Sequence, residues 1–292
     1  MDWMRFLPCD RTAKIPRQLI ELPRCELGQS PLELAIQAVN DIVAKYPAPY
    51  TLMLSGGIDS QAMLYAWVKA GVEFNTLTFQ YGHYNLHDIE ALQRFVDALA
   101  LPITLTYMDF NVISFLENEY DQYATKYDCS SPQICTHIRC SEWVKEGTVV
   151  FSGNFVMSPT NGGPMLSHAI LGIRRYAEIE QRSIVPFFFL HTPQLAYSFI
   201  PYEIRGAKSA YEMKTGMYRA AGFPILPQAD KYTGFERIKD QYDNIDVSLK
   251  TKLQYAEKPS TRPFDLIYRY PYETKFNDPR VDFIFSFLKD KP

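Results

Sequence analysis

The stretch Tyr50-Thr51-Leu52-Met53-Leu54-Ser55-Gly56-Gly57-Ile58-Asp59-Ser60 decides the fold. Tyr50 to Leu54 is a short apolar run bounded upstream by Pro47 and Pro49, the pattern of a buried strand. Ser60 to Ala70 carries a helical pattern stopped by Gly71, so the hexapeptide Ser55 to Ser60 joins a strand to a helix. That arrangement suits an anion. Paired glycines let the backbone approach a phosphate, the helix start aims N–H groups at it, and Ser55 and Ser60 add hydroxyl donors. A Gly-Gly turn with a Ser or Asp helix cap would account for the glycines alone. Strand, hexapeptide and helix in succession favour nucleotide binding, with Leu54, Ser55, Gly56, Gly57, Asp59 and Ser60 as the expected contacts. Asp59 would repel a phosphate unless a cation lay between them, so Mg²⁺ is expected there. No lysine follows the glycines as in GxxxxGK[ST], which excludes an ordinary P-loop NTPase.

Outward from this stretch, strands alternate with helices. Phe74 to Phe79 reads as a second strand, His87 to Ala100 as a helix, Ile103 to Met108 as a third strand, Val112 to Tyr123 as a helix and Val149 to Ser152 as a fourth strand. Such spacing predicts an α/β fold: an open parallel sheet with helices on both faces and ligands at the strands' carboxyl ends. Upstream, Ser30, Pro31 and Glu33 form a capping box before the stripe Leu32, Ala35, Ile36, Val39, Ile42 and Val43. Past about Gly163 the strand signal fades, and Thr192 to Asp243 reads as helices separated by Pro201, Gly222, Pro224 and Pro227. The expected division is an N-terminal arm over 1–30, a nucleotide-binding α/β core over 31–162, a mainly helical part over 163–257 and an aromatic tail over 258–292. Its many tyrosines and phenylalanines mark that tail as ordered irregular chain packing on the sheet or on a second copy in a homo-oligomer.

Composition narrows the function classes. With 47% hydrophobic and 22% charged residues, the 292-residue chain is globular rather than fibrous or disordered. A net charge of −3 supplies no global basic field, so nucleic acid is not the favoured partner, and the lone pair Arg174-Arg175 reads as a solvated helix face. The N-terminus lacks the apolar core of a signal peptide, and the longest apolar run, Ile184 to Leu190, is too short to span a bilayer. Five cysteines, an odd set, fit reduced thiols, so a cytoplasmic protein with no membrane partner is expected. Cys129, Cys135 and Cys140 lack C-x-x-C spacing and read as core residues, with His137 an ordinary histidine beside them.

The hexapeptide Ser55 to Ser60 resembles the SGGxDS signature of the ATP pyrophosphatases, the PP-loop superfamily. The resemblance implies cleavage of ATP between the α and β phosphates, transfer of AMP to a substrate oxygen, and pyrophosphate left in the loop. Thr78-Phe79-Gln80-Tyr81-Gly82 with His83 is similar to a segment of the 7-cyano-7-deazaguanine synthases. More of the chain, roughly 31–245, resembles the synthetase domain of asparagine synthetase. Val149 to Gly153, Pro186-Phe187 with Pro193, and the run Lys214, Arg219, Leu226-Pro227, Lys231 and Gly234-Phe235 carry that likeness. It implies ATP and Mg²⁺ as cofactors, with Asp59 holding the metal and Phe79, Ser152 and Gly153 framing the adenosine. Lys231 would be a catalytic cation near the β and γ phosphates, while Lys214 by itself reads as a solvated lysine.

The implied activity is an ATP-dependent ligase that adenylates a small-molecule or peptide carboxylate and transfers the acyl group to ammonia or an amine. A second expectation is modification of a nucleobase or tRNA through the same adenylation. Some PP-loop tRNA-thiolating enzymes hold an iron–sulfur cluster on three cysteines, the alternative for Cys129, Cys135 and Cys140. A third is a nucleotide-binding assembly or regulatory protein without catalysis. Two departures bear on these. Met1 is followed by Asp2 rather than a catalytic cysteine, so no glutaminase domain is expected, and the acidic pair after Ser152-Gly153 is replaced by Asn154-Phe155.

Overall fold

A computed structural model describes residues 5–6, 17–21, 28–129, 131–153, 157–158, 163–164, 169–202, 209–228, 235, 237–238 and 265–269. In the N-terminal arm β1 (Arg5–Phe6) pairs antiparallel with β2 (Arg17–Glu21). The first long helix, α1 (Pro31–Lys45), begins as its sequence dictates. The Ser30 hydroxyl accepts from the Glu33 N–H, and the Glu33 carboxylate accepts from the Ser30 N–H at 2.9 Å, so two orphan donors are satisfied. At the other end the Tyr50 hydroxyl donates to the carbonyls of Tyr46 and Val43, two acceptors that the helix leaves over.

The strand–helix alternation then follows as β3 (Tyr50–Met53), α2 (Ile58–Ala70), β4 (Asn75–Gln80), α3 (Leu86–Ala98) and β5 (Tyr107–Asp109). Next come α4 (Val112–Asn118), α5 (Tyr120–Lys126), α6 (Pro132–Ser141), β6 (Thr148–Phe151), and the small antiparallel pair β7 (Met157–Ser158) and β8 (Gly163–Pro164). Then α7 (Ala169–Ile179) leads to β9 (Ile184–Val185), α8 (Pro193–Ser198) and α9 (Ala210–Ala220), and β10 (Asp265–Arg269) closes the order.

The five-stranded sheet has the order β5-β4-β3-β6-β9 and is parallel throughout. From β3 the chain steps outward to β4 and β5, then returns to lay β6 and β9 on the other side of β3. Right-handed crossovers with this reversal put helices on both faces and open a crevice between the carboxyl ends of β3 and β6. Trp67 of α2 packs on Tyr50, whereas His137 of α6 lies against Phe151, which alternates to the opposite face. Leu52, Val149, Val150, Trp67 and Phe95 are fully enclosed, each large apolar side chain contributing about 1.5–3 kcal/mol by leaving water.

Several elements differ from the sequence reading. The third strand covers only Tyr107–Asp109, because the Thr76 hydroxyl, bonded to Thr104 O and Thr106 N, takes the place of ladder bonds before it. The helix expected over 112–123 breaks at Glu119 into α4 and α5. Helix α6 and strand β9 add to the sequence reading: the ten residues of α6 mix cysteines with polar residues over too few turns to stand out, and the two residues of β9 make no period. Part of the tail is regular: Asp265–Arg269 pairs parallel with Arg17–Glu21, so arm and tail share one sheet. Among the described residues no helix is long and apolar enough to cross a membrane.

Candidate nucleotide-binding site

The hexapeptide lies at the crevice between β3 and β6. Its hydroxyls form a chain: Ser55 N donates to Ser60 Oγ at 3.0 Å, the Ser55 and Ser60 oxygens are 3.1 Å apart, and Ser152 Oγ lies 3.4 Å from Ser60 Oγ. Ser152 follows β6, so this contact spans the two neighbouring parallel strands between which the strand order reverses. No side chain caps α2 at Gly57, which leaves the helix start to be satisfied by solvent or by a bound anion. Two glycines are obligatory here for steric reasons. A Cβ at Gly56 would run into the backbone carbonyl of Asp88 in α3, and Gly153, at φ +76°, faces the Phe187 ring.

Leu54 is buried beside the loop, and its N–H donates to Leu77 O at 2.9 Å, continuing the β3–β4 pairing. Phe79, near the end of β4, is buried edge-on to Phe110. Asn85 ties the following turn, accepting from Tyr81 N at 2.7 Å and donating to Phe79 O at 2.8 Å. The structure therefore brings Leu54, Ser55, Gly56, Gly57, Asp59, Ser60, Ser152 and Gly153 to one crevice, with Phe79 in the wall of the neighbouring strand. Lys231 and the Asn154-Phe155 departure lie outside the described residues.

Asp59, expected to meet Mg²⁺, meets two residues of α9 instead. Lys214 Nζ is 2.6 Å from its carboxylate, and the Tyr218 hydroxyl donates to Oδ1 at 2.6 Å. Lys214 is only 4% exposed, far from the solvated lysine the sequence suggested, and burial together with the Asp59 charge pushes the Tyr218 phenol well above its ordinary pKa. A carboxylate neutralised by an ammonium at that distance is a poor Mg²⁺ ligand, since the ion would have to share it with a cation already in place. The residues present do not fit a metal ion at Asp59. Among the described residues no group of three or more His, Cys, Asp or Glu is placed to hold one.

A second residue that sequence reasoning missed is Gln61. Fully buried, its amide donates to Gly56 O and Leu226 O and accepts from Leu226 N at 2.7 Å. Gln228 donates to Asp88 Oδ1, and its N–H donates to the Tyr211 hydroxyl. Together with Phe235, edge-on to Tyr81, these bonds lay the segment after α9 along the loop and the start of α3. The position directly after the hexapeptide was the only available signal, and it does not reveal burial.

Of the clustered cysteines, Cys135 Sγ donates to Cys129 O at 3.2 Å, and all three are buried. His137, partly enclosed against Phe151, has its pKa lowered to about 4 by burial. Between about pH 4 and 6.5 the unfolded chain binds a proton that the folded one does not, so stability falls on acidification through that window. For this part-exposed ring we expect roughly 2–3 kcal/mol at most. Thermal unfolding followed from pH 7 to 4 checks it: the His137→Phe variant should lose part of the acid sensitivity.

With this geometry in view, the family described as queuosine biosynthesis protein QueC matches residues 50–129, from β3 through α5. No curated protein matches the sequence. Among solved structures, an NH3-dependent NAD synthetase from Campylobacter jejuni is 15% identical, covering 78% of this chain and 95% of its own, at a TM-score of 0.37. An NMN synthetase from Francisella tularensis is 13% identical, covering 84% of this chain and 100% of its own, at 0.38. The family match over the loop-bearing segment, on a parallel sheet whose glycine loop sits at the strand reversal, indicates the PP-loop ATP pyrophosphatase superfamily, a class that uses ATP.

Proposed function

We propose that this chain is an ATP-dependent adenylating ligase that joins a carboxylate to ammonia or an amine. The observation carrying the reading is the hydroxyl chain Ser55, Ser60 and Ser152 at an uncapped helix start on the crevice between β3 and β6. An anion there gains the helix N-terminus and hydroxyl donors together. In the proposed reaction a carboxylate oxygen attacks the α-phosphorus of ATP, the α–β bond breaks and pyrophosphate leaves into the loop. The amine nitrogen then attacks the acyl carbon, AMP departs and the nitrogen loses a proton. Adenylation is needed because a free carboxylate resists an amine, while an acyl-adenylate carries a good leaving group.

Product analysis with radiolabelled ATP and a panel of carboxylates tests this. AMP and pyrophosphate, with ammonia-dependent amide formation, are expected; ADP and phosphate would overturn it. The match to a queuosine biosynthesis family favours a second reading, in which the adenylated group belongs to a modified nucleobase. Turnover confined to base-like acceptors would select it. Lys231 is the proposed cation for departing pyrophosphate, an interaction stronger in the transition state than with bound ATP. Lys231→Ala should therefore slow single-turnover pyrophosphate formation roughly a hundredfold while changing ATP affinity far less.

A further inference from the structure

A loop built for phosphates carries a carboxylate at Asp59, on the first turn of α2, and that charge must be answered before an anion can approach. The structure answers it from within the chain. Lys214 is buried on α9, its ammonium 2.6 Å from the Asp59 carboxylate, and Tyr218 from the next turn of α9 donates to the same group. A lysine is seldom this buried unless paired, and removing one partner of such a pair strands the other charge. A carboxylate in an anion-binding loop needs a cation beside it, whether a metal ion or an ammonium, and Lys214 supplies one.

We propose that Lys214 is the resident cation of this loop: it neutralises Asp59, so that phosphate groups approach the α2 N-terminus without a metal ion at that carboxylate. Asp59 and Lys214 are then positioning residues. Asp59 holds the ammonium, and Tyr218 fixes the carboxylate's orientation. The inference rests on the nucleotide reading of the loop and adds to it where the compensating charge comes from. Any Mg²⁺ that accompanies ATP would ride on the phosphates and other ligands.

The probes are inorganic pyrophosphate and ATP, titrated calorimetrically with EDTA and then with Mg²⁺, against wild type, Asp59→Asn, Lys214→Met, Lys214→Arg and the double variant Asp59→Asn/Lys214→Met. With EDTA present, Lys214→Met should weaken pyrophosphate binding roughly tenfold or more, because Asp59 is left uncompensated. Asp59→Asn should keep or strengthen it, Lys214→Arg should hold it near wild type, and the double variant should recover most of the loss. That recovery is the signature of charge rather than of shape. In urea unfolding the double variant should lose less stability than the two single losses summed. If Lys214→Met does not fold, Asp59→Asn and the double variant still decide by whether pyrophosphate binding in EDTA survives. Wild-type binding that requires Mg²⁺, and that Asp59→Asn abolishes while Lys214→Met spares, would overturn the Lys214 assignment alone. Wild type that binds neither ATP nor pyrophosphate would overturn the nucleotide reading together with this one.

Discussion

Gln61→Leu should lower the unfolding free energy by about 2–4 kcal/mol, since a buried backbone polar group left unpaired, here Gly56 O, costs roughly 1–3 kcal/mol, and the part-buried groups of Leu226 recover some of their loss from water. The substitution is close in size, so little packing is lost, but it strands Gly56 O, Leu226 O and Leu226 N together. Among the described residues, Gln61 is the one side chain that bonds both to the nucleotide loop and to the segment after α9. Its loss should therefore separate the two as well as destabilise the whole. Chemical unfolding gives the stability change. Hydrogen exchange gives the location: protection at Leu226 should fall before protection at Leu52 or Val150, which lie in the centre of the sheet. A change below 1 kcal/mol would mean that water replaces the amide without penalty.

Gly56→Ala should abolish measurable ATP binding, a loss on the order of 10³ in affinity, with a smaller loss of stability. The added methyl meets the Asp88 carbonyl, which is backbone and has no rotamer by which to withdraw. Either the loop or the start of α3 must shift. Overpacking of this kind typically costs 1–3 kcal/mol, and about 1 Å of misplacement at a reacting centre can cost 10²-fold in rate. Gly57→Ala is the control. A Cβ there comes no closer than 3.4 Å to Ser55 Oγ, so ATP affinity should change little. Calorimetry on the two variants side by side decides, and equal affinities would detach the loop's shape from nucleotide binding.

The sequence by itself determined the parts of this protein that depend on neighbours along the chain. The capping box at Ser30 and Glu33, the strand Tyr50 to Leu54, the glycine turn and the helix after it are local, because capping, period and turn chemistry act within a few residues. From their alternation the parallel sheet followed, and with it the end of the sheet where a ligand would sit. What Asp59 touches was beyond that reach. Asp59 and Lys214 are 155 residues apart, as are no two groups that a periodicity can relate, and an aspartate in a phosphate loop reads the same whether a metal or a lysine balances it. Gln61 is likewise polar in the sequence and buried in the fold, 165 residues from its partner Leu226. Only the docking of α9 and the chain after it against α2 decided both, since the cost of burying a charge or an amide is met by whichever partner the tertiary structure brings within about 3 Å.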